Sequence, residues 1–378
     1  MQNELVNYHP FTAEESDRIH SVRGWLAFFV FCCHFSGFLE KPFQDNVVFS
    51  RIFNSGYSAI CVFFAVSGLL LIHSFLKTNT EHYFKYPWIH FFTKRIFRIF
   101  PLWLAATIIH VVYSGKYDLG IYFKSLFFLD VMGPFKFNEV LAPISWSLYV
   151  EEFFYLSFPL IFLAIKRNWL ILALLLCTLF GSLLNNFVVV PEGYNFTNPF
   201  NMLYYFGFGI AAYLFWPVLK RAAISPWFFY CIFLTQIIYV SLIEKNEKFT
   251  ELNILFSVLF ILQAPKGLTK VTHSLFNLLG KLCFPFYLVH SISIHFARDT
   301  FIRFTEIESG QQNGSHQFAI FILCFLISLL ASLILHRTIE RPFITIGSRI
   351  SPGIQNGVET LLSYFGGYQL DKKVSDRT

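Results

Sequence analysis

A histidine and an arginine, Arg23 and His34, lie eleven residues apart in the first long apolar segment of the chain. On an α-helix, eleven residues come to within about 20° of three full turns, so both side chains share one face, about 16 Å apart along the axis. A neutral imidazole can remove a proton near neutral pH, and an ionisable group at membrane depth indicates a functional site. The alternative is a core histidine that is hydrogen-bonded to a backbone carbonyl.

The run Cys32-Cys33-His34 combines two residue types that bind metals. Adjacent residues of a helix point about 100° apart, and no second ligand cluster occurs at zinc spacing. We therefore expect no metal site. The seven cysteines all lie in apolar stretches, and an odd number placed in this way does not indicate a disulfide framework.

A hydroxyl, a carboxylate and a phenol recur at helical spacing in the segment Ile144–Glu152 and just beyond it. Ser147, Glu151 and Tyr155 are each four residues apart, so a helix would bring them to one face, with Trp146 well off that line. Such a face could carry acid–base chemistry. Equally, the carboxylates could be solvated at a helix start, where negative charge is mildly favoured.

Paired arginines precede the third apolar segment. Arg95 and Arg98 project from nearly the same side of a helix, and guanidinium groups suit phosphate oxygens. Ordinary anchoring to anionic lipid is the simpler interpretation. His290 and Glu340, further along the chain, are weaker signals that could be bundle-facing or interfacial groups.

The composition indicates an integral membrane protein. Of 378 residues, 55% are hydrophobic and only 14% are charged, whereas a soluble domain carries about a quarter charged residues. The mean hydropathy is +0.54. This composition excludes a soluble domain of ordinary size beside the spans, and we expect contact with membrane lipids and no nucleic-acid partner.

Apolar runs between polar or Pro/Gly punctuation predict an all-α bundle of about ten transmembrane helices. The eighth run is short for a bilayer, so it is predicted to be tilted, extended or packed inside. The predicted spans are Gly24–Leu39, Tyr57–Leu76, Ile99–Ser114, Leu141–Ile165, Trp169–Val190, Pro199–Leu219, Pro226–Ile243, Leu252–Ala264, Leu275–Phe296 and Phe318–Leu335.

The distribution of positive charge predicts the orientation of this bundle. With the amino terminus inside, the inner segments hold sixteen Lys and Arg and the outer segments nine. Because cytoplasmic loops favour these residues, both termini are predicted to be cytoplasmic. We divide the chain into an amino-terminal segment, 1–22, a transmembrane domain, 23–342, and a cytoplasmic tail, 343–378, without enzymatic capacity of its own. Thr12 to Glu15 has the form of a helix capping box.

Taken in order, six segments resemble the acyltransferase-3 family of multi-pass membrane O-acyltransferases. The chain departs from that family pattern at His20, Ser21 and Phe153. Because the tail is short, we expect no fused hydrolase-like domain of the kind that some relatives carry. The six segments are Arg23 with His34, Phe63–Leu70, Arg95–Pro101, Trp146–Glu152, Tyr287–His290 and Glu340–Pro342.

The resemblance implies an enzyme that moves an acyl group, commonly acetyl from acetyl-CoA, to a hydroxyl of a surface glycan, its lipid-linked precursor or another sugar-containing acceptor. No permanently bound cofactor is implied, and a bacterial plasma membrane is the expected location. The implied roles are donor binding for Arg23, Arg95 and Arg98, catalysis for His34, Glu151 and Ser147, and acceptor contacts for Trp146, Tyr155 and His290.

In the mechanism that we expect, His34 acts as a general base in a tunnel that the donor enters from the basic side. Glu151 either orients its imidazole or compensates its charge, directly or through Ser147. A covalent acyl-histidine is the alternative route. The competing class is a proton-coupled transporter, because buried His, Arg and Glu also serve ion pathways.

Overall fold

The computed structural model describes residues 8–39, 56–82, 87–115, 145–166, 199–221, 250–263, 275–306 and 312–375, with isolated positions between them. Within these ranges the regular structure is entirely helical, which confirms the predicted all-α class for the described part. The helices are α1 (Ala13–Ser36), α2 (Gly56–His82), α3 (Pro87–Ser114), α4 (Ser145–Lys166), α5 (Pro199–Leu214), α6 (Trp216–Arg221), α7 (Thr250–Gln263), α8 (Leu275–Lys281), α9 (Cys283–Thr305), α10 (Gly314–Leu335) and α11 (Arg341–Ser375).

Four helical stretches among the described residues are long and apolar enough to cross a membrane, or five if one bent pair counts as a single span. Every one of them overlaps a predicted span. They are Ser58–Thr78, Trp88–Ser114, Trp146–Ile165 and Gly314–Leu361, and the bent pair is α8 with α9.

The remaining predicted spans are only partly covered by the described residues. Spans six and eight correspond to the shorter apolar helices α5 and α7. Span one lies in α1, which is less apolar because His20, Arg23 and His34 interrupt it. Span five and all of span seven except Trp227 and Phe228 fall outside the described residues. The count of ten and the orientation of the termini therefore stay predictions.

Span nine was predicted as one helix, but the structure breaks it at Leu282, where α8 and α9 meet at 93°. Pro285 explains the break, since it has no N–H to donate to the carbonyl of Lys281 and its ring would clash with that carbonyl. The φ of −95° and ψ of 4° at Leu282 lie outside the helical range. The bend turns the start of α9 into the interior of the bundle.

α1 and α8 pack with their backbones in contact. A Cβ atom built on Gly24 would lie 1.9 Å from the carbonyl oxygen of Phe276, and one on Gly280 would lie 1.7 Å from that of His20. Only glycine allows so close an approach at these two positions. The contact fixes the first half of α1 beside the bend that leads into α9.

The amino terminus of α1 has the predicted capping box. The hydroxyl of Thr12 accepts from the backbone N–H of Glu15 at 3.2 Å, and the Glu15 carboxylate accepts from the Thr12 N–H at 2.7 Å. The same carboxylate, almost fully buried, pairs with the Lys220 ammonium at 2.9 Å. The box therefore anchors α1 to α6 as well as starting the helix.

The residues assigned to a tail form a helix that continues from the last span, and the expected domain boundary at residue 342 stays a prediction. A π-helical turn, His336–Glu340, joins α10 to α11, and Pro342 lies just beyond it. α11 packs along α3: a Cβ on Gly347 would lie 2.5 Å from that of Phe97, and Ser351 hydrogen-bonds to His90 at 2.6 Å. This packing, rather than local sequence preference, holds the glycine-rich segment helical.

Candidate functional site

A cavity of about 90 Å³, called here the inner cavity, lies between α1, α2, α3, α4 and α9. Its polar lining includes the three α4 residues that were predicted to share a face, Ser147, Glu151 and Tyr155, together with Arg23 and Arg98. That predicted shared face is confirmed. The remaining lining residues are Ile60, Phe63, Phe64, Ser67, Ile99, Leu148, Cys283, Phe284 and Tyr287.

Hydrogen bonds order the polar side of the inner cavity. The Tyr155 hydroxyl donates to the Glu151 carboxylate in a short contact, and Ser67 donates to the same oxygen at 3.4 Å. The hydroxyls of Ser147 and Tyr287 lie 2.6 Å apart. Glu151 is therefore hydrogen-bonded to Tyr155 and Ser67, and the expected link from Glu151 through Ser147 to His34 stays a prediction.

A second cavity of about 220 Å³, called here the basic cavity, lies between α2, α3 and α11. Three cationic side chains from one face of α3 line it, namely Lys94, Arg95 and Arg98. Its other lining residues are Ser74, Phe75, Thr78, His90, Phe91, Ile344 and Ser348. Such a surface suits an anionic group.

The two cavities adjoin at Arg98, whose side chain lines both. Arg95 reaches towards the same boundary, with its guanidinium carbon 5.0 Å from the centre of the Tyr155 ring, a cation–π distance. The arginines thus meet the α4 face where Glu151 lies. This arrangement places fixed positive charge between the basic cavity and the hydroxyl-lined interior.

His34 pairs with a second histidine. The ring centroids of His34 and His290 are 4.9 Å apart, at an interplanar angle of 61°. Nδ1 of His290 lies 2.7 Å from the Tyr287 carbonyl oxygen and 3.2 Å from that of Phe286. Because carbonyl oxygens only accept, this nitrogen carries the proton. Nε2 of His290 is therefore an acceptor, and within the described residues it is buried without a hydrogen bond.

Arg23 and His34 both reach α9, as their shared face predicted. Arg23 donates to the Cys283 sulfur at 2.7 Å, while His34 contacts His290 seven residues further along. The later residue of α1 contacts the later residue of α9, so the two helices run parallel. Arg23 lines the inner cavity, and His34 lies deeper along the same pair of helices.

The expected tunnel to His34 stays a prediction, because the two cavities described here stop short of that side chain. Neither cavity has His34 among its described lining residues; the inner cavity ends at Tyr287, whose ring centre is 5.7 Å from that of His290. The Tyr287 side chain therefore lies both in the lining of the inner cavity and beside the histidine pair.

Two other residues that the sequence singled out lie apart from the cavities. Trp146 is buried, with its ring 6.4 Å from that of Phe64, and the structure does not bring it to either lining. Glu340 is also buried and pairs with Nδ1 of His336 at 2.6 Å within the π-helical turn. That turn packs against α3, the helix that carries Arg95 and Arg98.

Several lining residues were missed by sequence reasoning. Tyr287 and Ser67 belong to segments quoted for the family resemblance, so their hydroxyls inside apolar runs were a usable signal. Cys283 and Ser348 carried no such signal, because only the bend at Leu282 and the packing of α11 bring them to the site.

Comparison with known proteins identifies the family. The profile of the family described as "Acyltransferase domain", acyltransferase-3, matches residues 17–337. The chain is also similar to a protein from Acidianus two-tailed virus named "Putative acetyltransferase ORF330", with 28% identity over 320 residues, covering 75% of this chain and 83% of the viral protein. No solved structure matches significantly.

Neither match supports the alternative of a proton-coupled transporter. The family match extends from the first turn of α1 to the π-helical turn, and so includes every residue of the inner cavity and the histidine pair. On this coverage, the chain belongs to the acyltransferase-3 family and is a membrane acyltransferase.

Proposed function

We propose that this protein transfers an acyl group, acetyl in the first instance, from acyl-CoA to a hydroxyl of a surface polysaccharide, its lipid-linked precursor or another sugar-containing acceptor. The observation that carries the proposal is the junction of two cavities at Arg98: one is lined by three cations, and the other by hydroxyls and a carboxylate. A CoA thioester needs both environments, because its phosphates are anionic and its reacting end is not.

The donor would lie across that junction. Its phosphates would bind Arg95 and Arg98 at the basic cavity, while the thinner pantetheine arm would pass Arg98 into the inner cavity. Arg23, held by Cys283 on the far wall, would add a third positive charge near the thioester. The acceptor would approach from the opposite side of the bilayer.

His34 is the proposed general base. It would take the proton of the acceptor hydroxyl as the oxygen attacks the thioester carbonyl, and would return that proton to the departing CoA thiolate. The C–S bond breaks as the C–O bond forms, so no net proton is gained or lost. Ser147 and Tyr287, whose hydroxyls adjoin at 2.6 Å, would donate to the carbonyl oxygen as it becomes negative.

His290 is proposed as the residue that orients His34. The proton of His290 is donated to the Tyr287 carbonyl, so Nε2 of His290 is free to accept a hydrogen bond. At a centroid separation of 4.9 Å, a small rotation of the rings would bring a ring nitrogen of His34 within hydrogen-bond distance of that Nε2. An N–H of His34 bonded there leaves the other ring nitrogen basic. Glu151, hydrogen-bonded to Tyr155 and Ser67, would serve as a counter-charge for Arg23 and Arg98, which line the same cavity.

The test is incubation of purified protein with labelled acetyl-CoA and candidate glycan acceptors. We expect label to move to the acceptor, His34→Ala to abolish transfer while the protein still elutes as folded, and Arg95→Ala or Arg98→Ala chiefly to weaken donor binding. His295→Ala is the matched control, since His295 is exposed on α9. If the His34→Ala variant still turns over, His34 is not catalytic. If donor affinity is unchanged in both arginine variants, Arg95 and Arg98 anchor the protein to lipid instead of binding the donor.

The proposed location is a bacterial plasma membrane, where cytoplasmic acyl-CoA and external glycan precursors meet. Mass spectrometry of cell-surface glycans with and without the gene should reveal the loss of one O-acyl mass. Substrate flux across vesicles without consumption of acetyl-CoA would favour a carrier and contradict the proposal.

A further inference from the structure

α11 forms one wall of the basic cavity. Ile344 and Ser348, one helical turn apart, line it opposite the cations of α3. Ser348 is exposed, so its hydroxyl lies at the rim where a ligand would enter. The wall is formed by residues beyond the family match, which ends at residue 337.

This wall is held in place by contacts that are independent of any ligand. Gly347 allows the backbone of α11 to approach the Phe97 side chain, and the Ser351 hydroxyl bonds to Nδ1 of His90 at 2.6 Å. Ser351 and His90 are both buried. Because His90 also lines the basic cavity, the contact that fixes α11 lies directly beside the cavity.

The lining has the chemistry of a polyanion site. Lys94, Arg95 and Arg98 supply three positive charges, and none of the lining residues that the structure describes is acidic. Hydroxyls come from Ser74, Thr78 and Ser348. The volume of about 220 Å³ greatly exceeds the ~30 Å³ share of one liquid water, so a group of several heavy atoms fits.

We propose that α11 is part of the donor site, and that Lys94 and Ser348 recognise the phosphate-bearing nucleotide end of CoA and so restrict the enzyme to CoA thioesters. The inference rests on the proposed function for the identity of the donor. It adds a wall and two specificity-determining residues to the arginine pair.

The experiment measures equilibrium binding of CoA and of pantetheine, which lacks the nucleotide and its phosphates, to the purified full chain. We expect the wild-type protein to bind CoA more tightly than pantetheine, and inorganic diphosphate to compete with CoA. Binding is measured without an acceptor, so the result does not depend on turnover.

Ser348→Glu places a carboxylate at the rim and should weaken CoA binding by about tenfold or more, because like charges repel, while pantetheine binding stays unchanged. Thr345→Glu is the matched control: it adds the same charge less than one turn away, at an exposed position outside the cavity lining. We expect no effect from it.

Lys94→Gln is a second, independent variant, since it removes a lining charge without adding bulk. It should also weaken CoA binding selectively, whereas Lys77→Gln, at an exposed position of α2 outside the lining, should not. Helical content and chromatographic elution verify that each variant is folded.

Equal losses in Ser348→Glu and Thr345→Glu, equal effects on CoA and pantetheine, or no preference of the wild-type protein for CoA would each overturn the inference. Failure of the proposed function looks different: CoA binding would follow the expected pattern, yet no acyl group would reach any acceptor.

Discussion

His290 is a buried imidazole whose protonation is fixed by its own helix. Only 1% of it is exposed, and the carbonyl of Tyr287 commits its proton to Nδ1. In this tautomer, Nε2 of His290 can accept a hydrogen bond from His34 but carries no proton to donate. We therefore place His290 behind the base as a positioning residue.

Replacing His290 with Ala should lower kcat about a hundredfold and leave the KM for the donor unchanged, because a misoriented base loses that much without affecting donor contacts. His290→Gln, whose amide oxygen can accept the same hydrogen bond, should recover part of the rate. Steady-state kinetics of both variants across pH supply the measurement. If Gln and Ala behave alike, or if kcat does not fall, His290 has no orienting role.

At the scale of single elements, the stability of the α1 cap depends on pH through the carboxyl group of Glu15. Burial alone would raise the pKa of this carboxyl, but hydrogen bonds from Thr12 and the charge of Lys220 outweigh it and lower the pKa below its usual 4.5. A lowered folded-state pKa contributes stability that is present above the unfolded value and is lost as the pH falls through the folded one.

Glu15→Gln should therefore destabilise the protein by about 1 kcal/mol at pH 7, and the difference should vanish in acid, below the folded pKa. Thermal unfolding in detergent at both pH values measures it. Glu14→Gln, one residue earlier and exposed, is the control and should have little effect at either pH. A constant difference across pH would show that the charge of Glu15 is not what stabilises the cap.

The close packing of α1 on α8 leads to a second prediction about the helices. Gly280→Ala should cost about 1–3 kcal/mol, because its methyl group would meet the carbonyl oxygen of His20 and force the helices apart. Gly353→Ala in α11 is the opposite case, with open space at the Cβ position, and should stabilise by about 0.5–1 kcal/mol. Unfolding midpoints compare the two, and the prediction fails if both substitutions shift the midpoint in the same direction.

At the scale of the whole molecule, the orientation in the bilayer follows from the positive-charge bias and can be mapped directly. Glu306, between α9 and α10, is predicted to face outwards, and Arg349 on α11 to face the cytoplasm; both are exposed. A cysteine at 306 should react with a membrane-impermeant thiol reagent in intact cells, and one at 349 only after permeabilisation. The reverse pattern would invert the bundle.

Hydropathy predicted where the membrane helices lie, but not how far they extend. α3 begins at Pro87, twelve residues before the predicted start of the span at Ile99, because Lys94, Arg95 and Arg98 gather on a cavity instead of marking a loop. The residues of α11 were assigned to a cytoplasmic tail, and the packing of this helix against α3 was not predicted from the sequence.

The candidate site was predictable as far as single helices determine it. The α4 face and the shared face of Arg23 and His34 follow from periodicity, and both are observed. The partners across helices do not follow from periodicity. The pairing of His34 with His290 depends on the bend before Pro285, and the pairing of Glu151 with Ser67 on the approach of α2.

The continuous helical stretch Gly314–Leu361 has 48 residues. At 1.5 Å per residue it is about 70 Å long, more than twice the thickness of the hydrocarbon layer. Its carboxyl-terminal part includes Ile344 and Ser348, which border the arginines, so a change in the tilt of this stretch would move that wall of the basic cavity. Bilayer thickness should therefore alter the tilt of this stretch and the position of the cavity wall, and donor affinity should depend on the acyl length of the surrounding lipids.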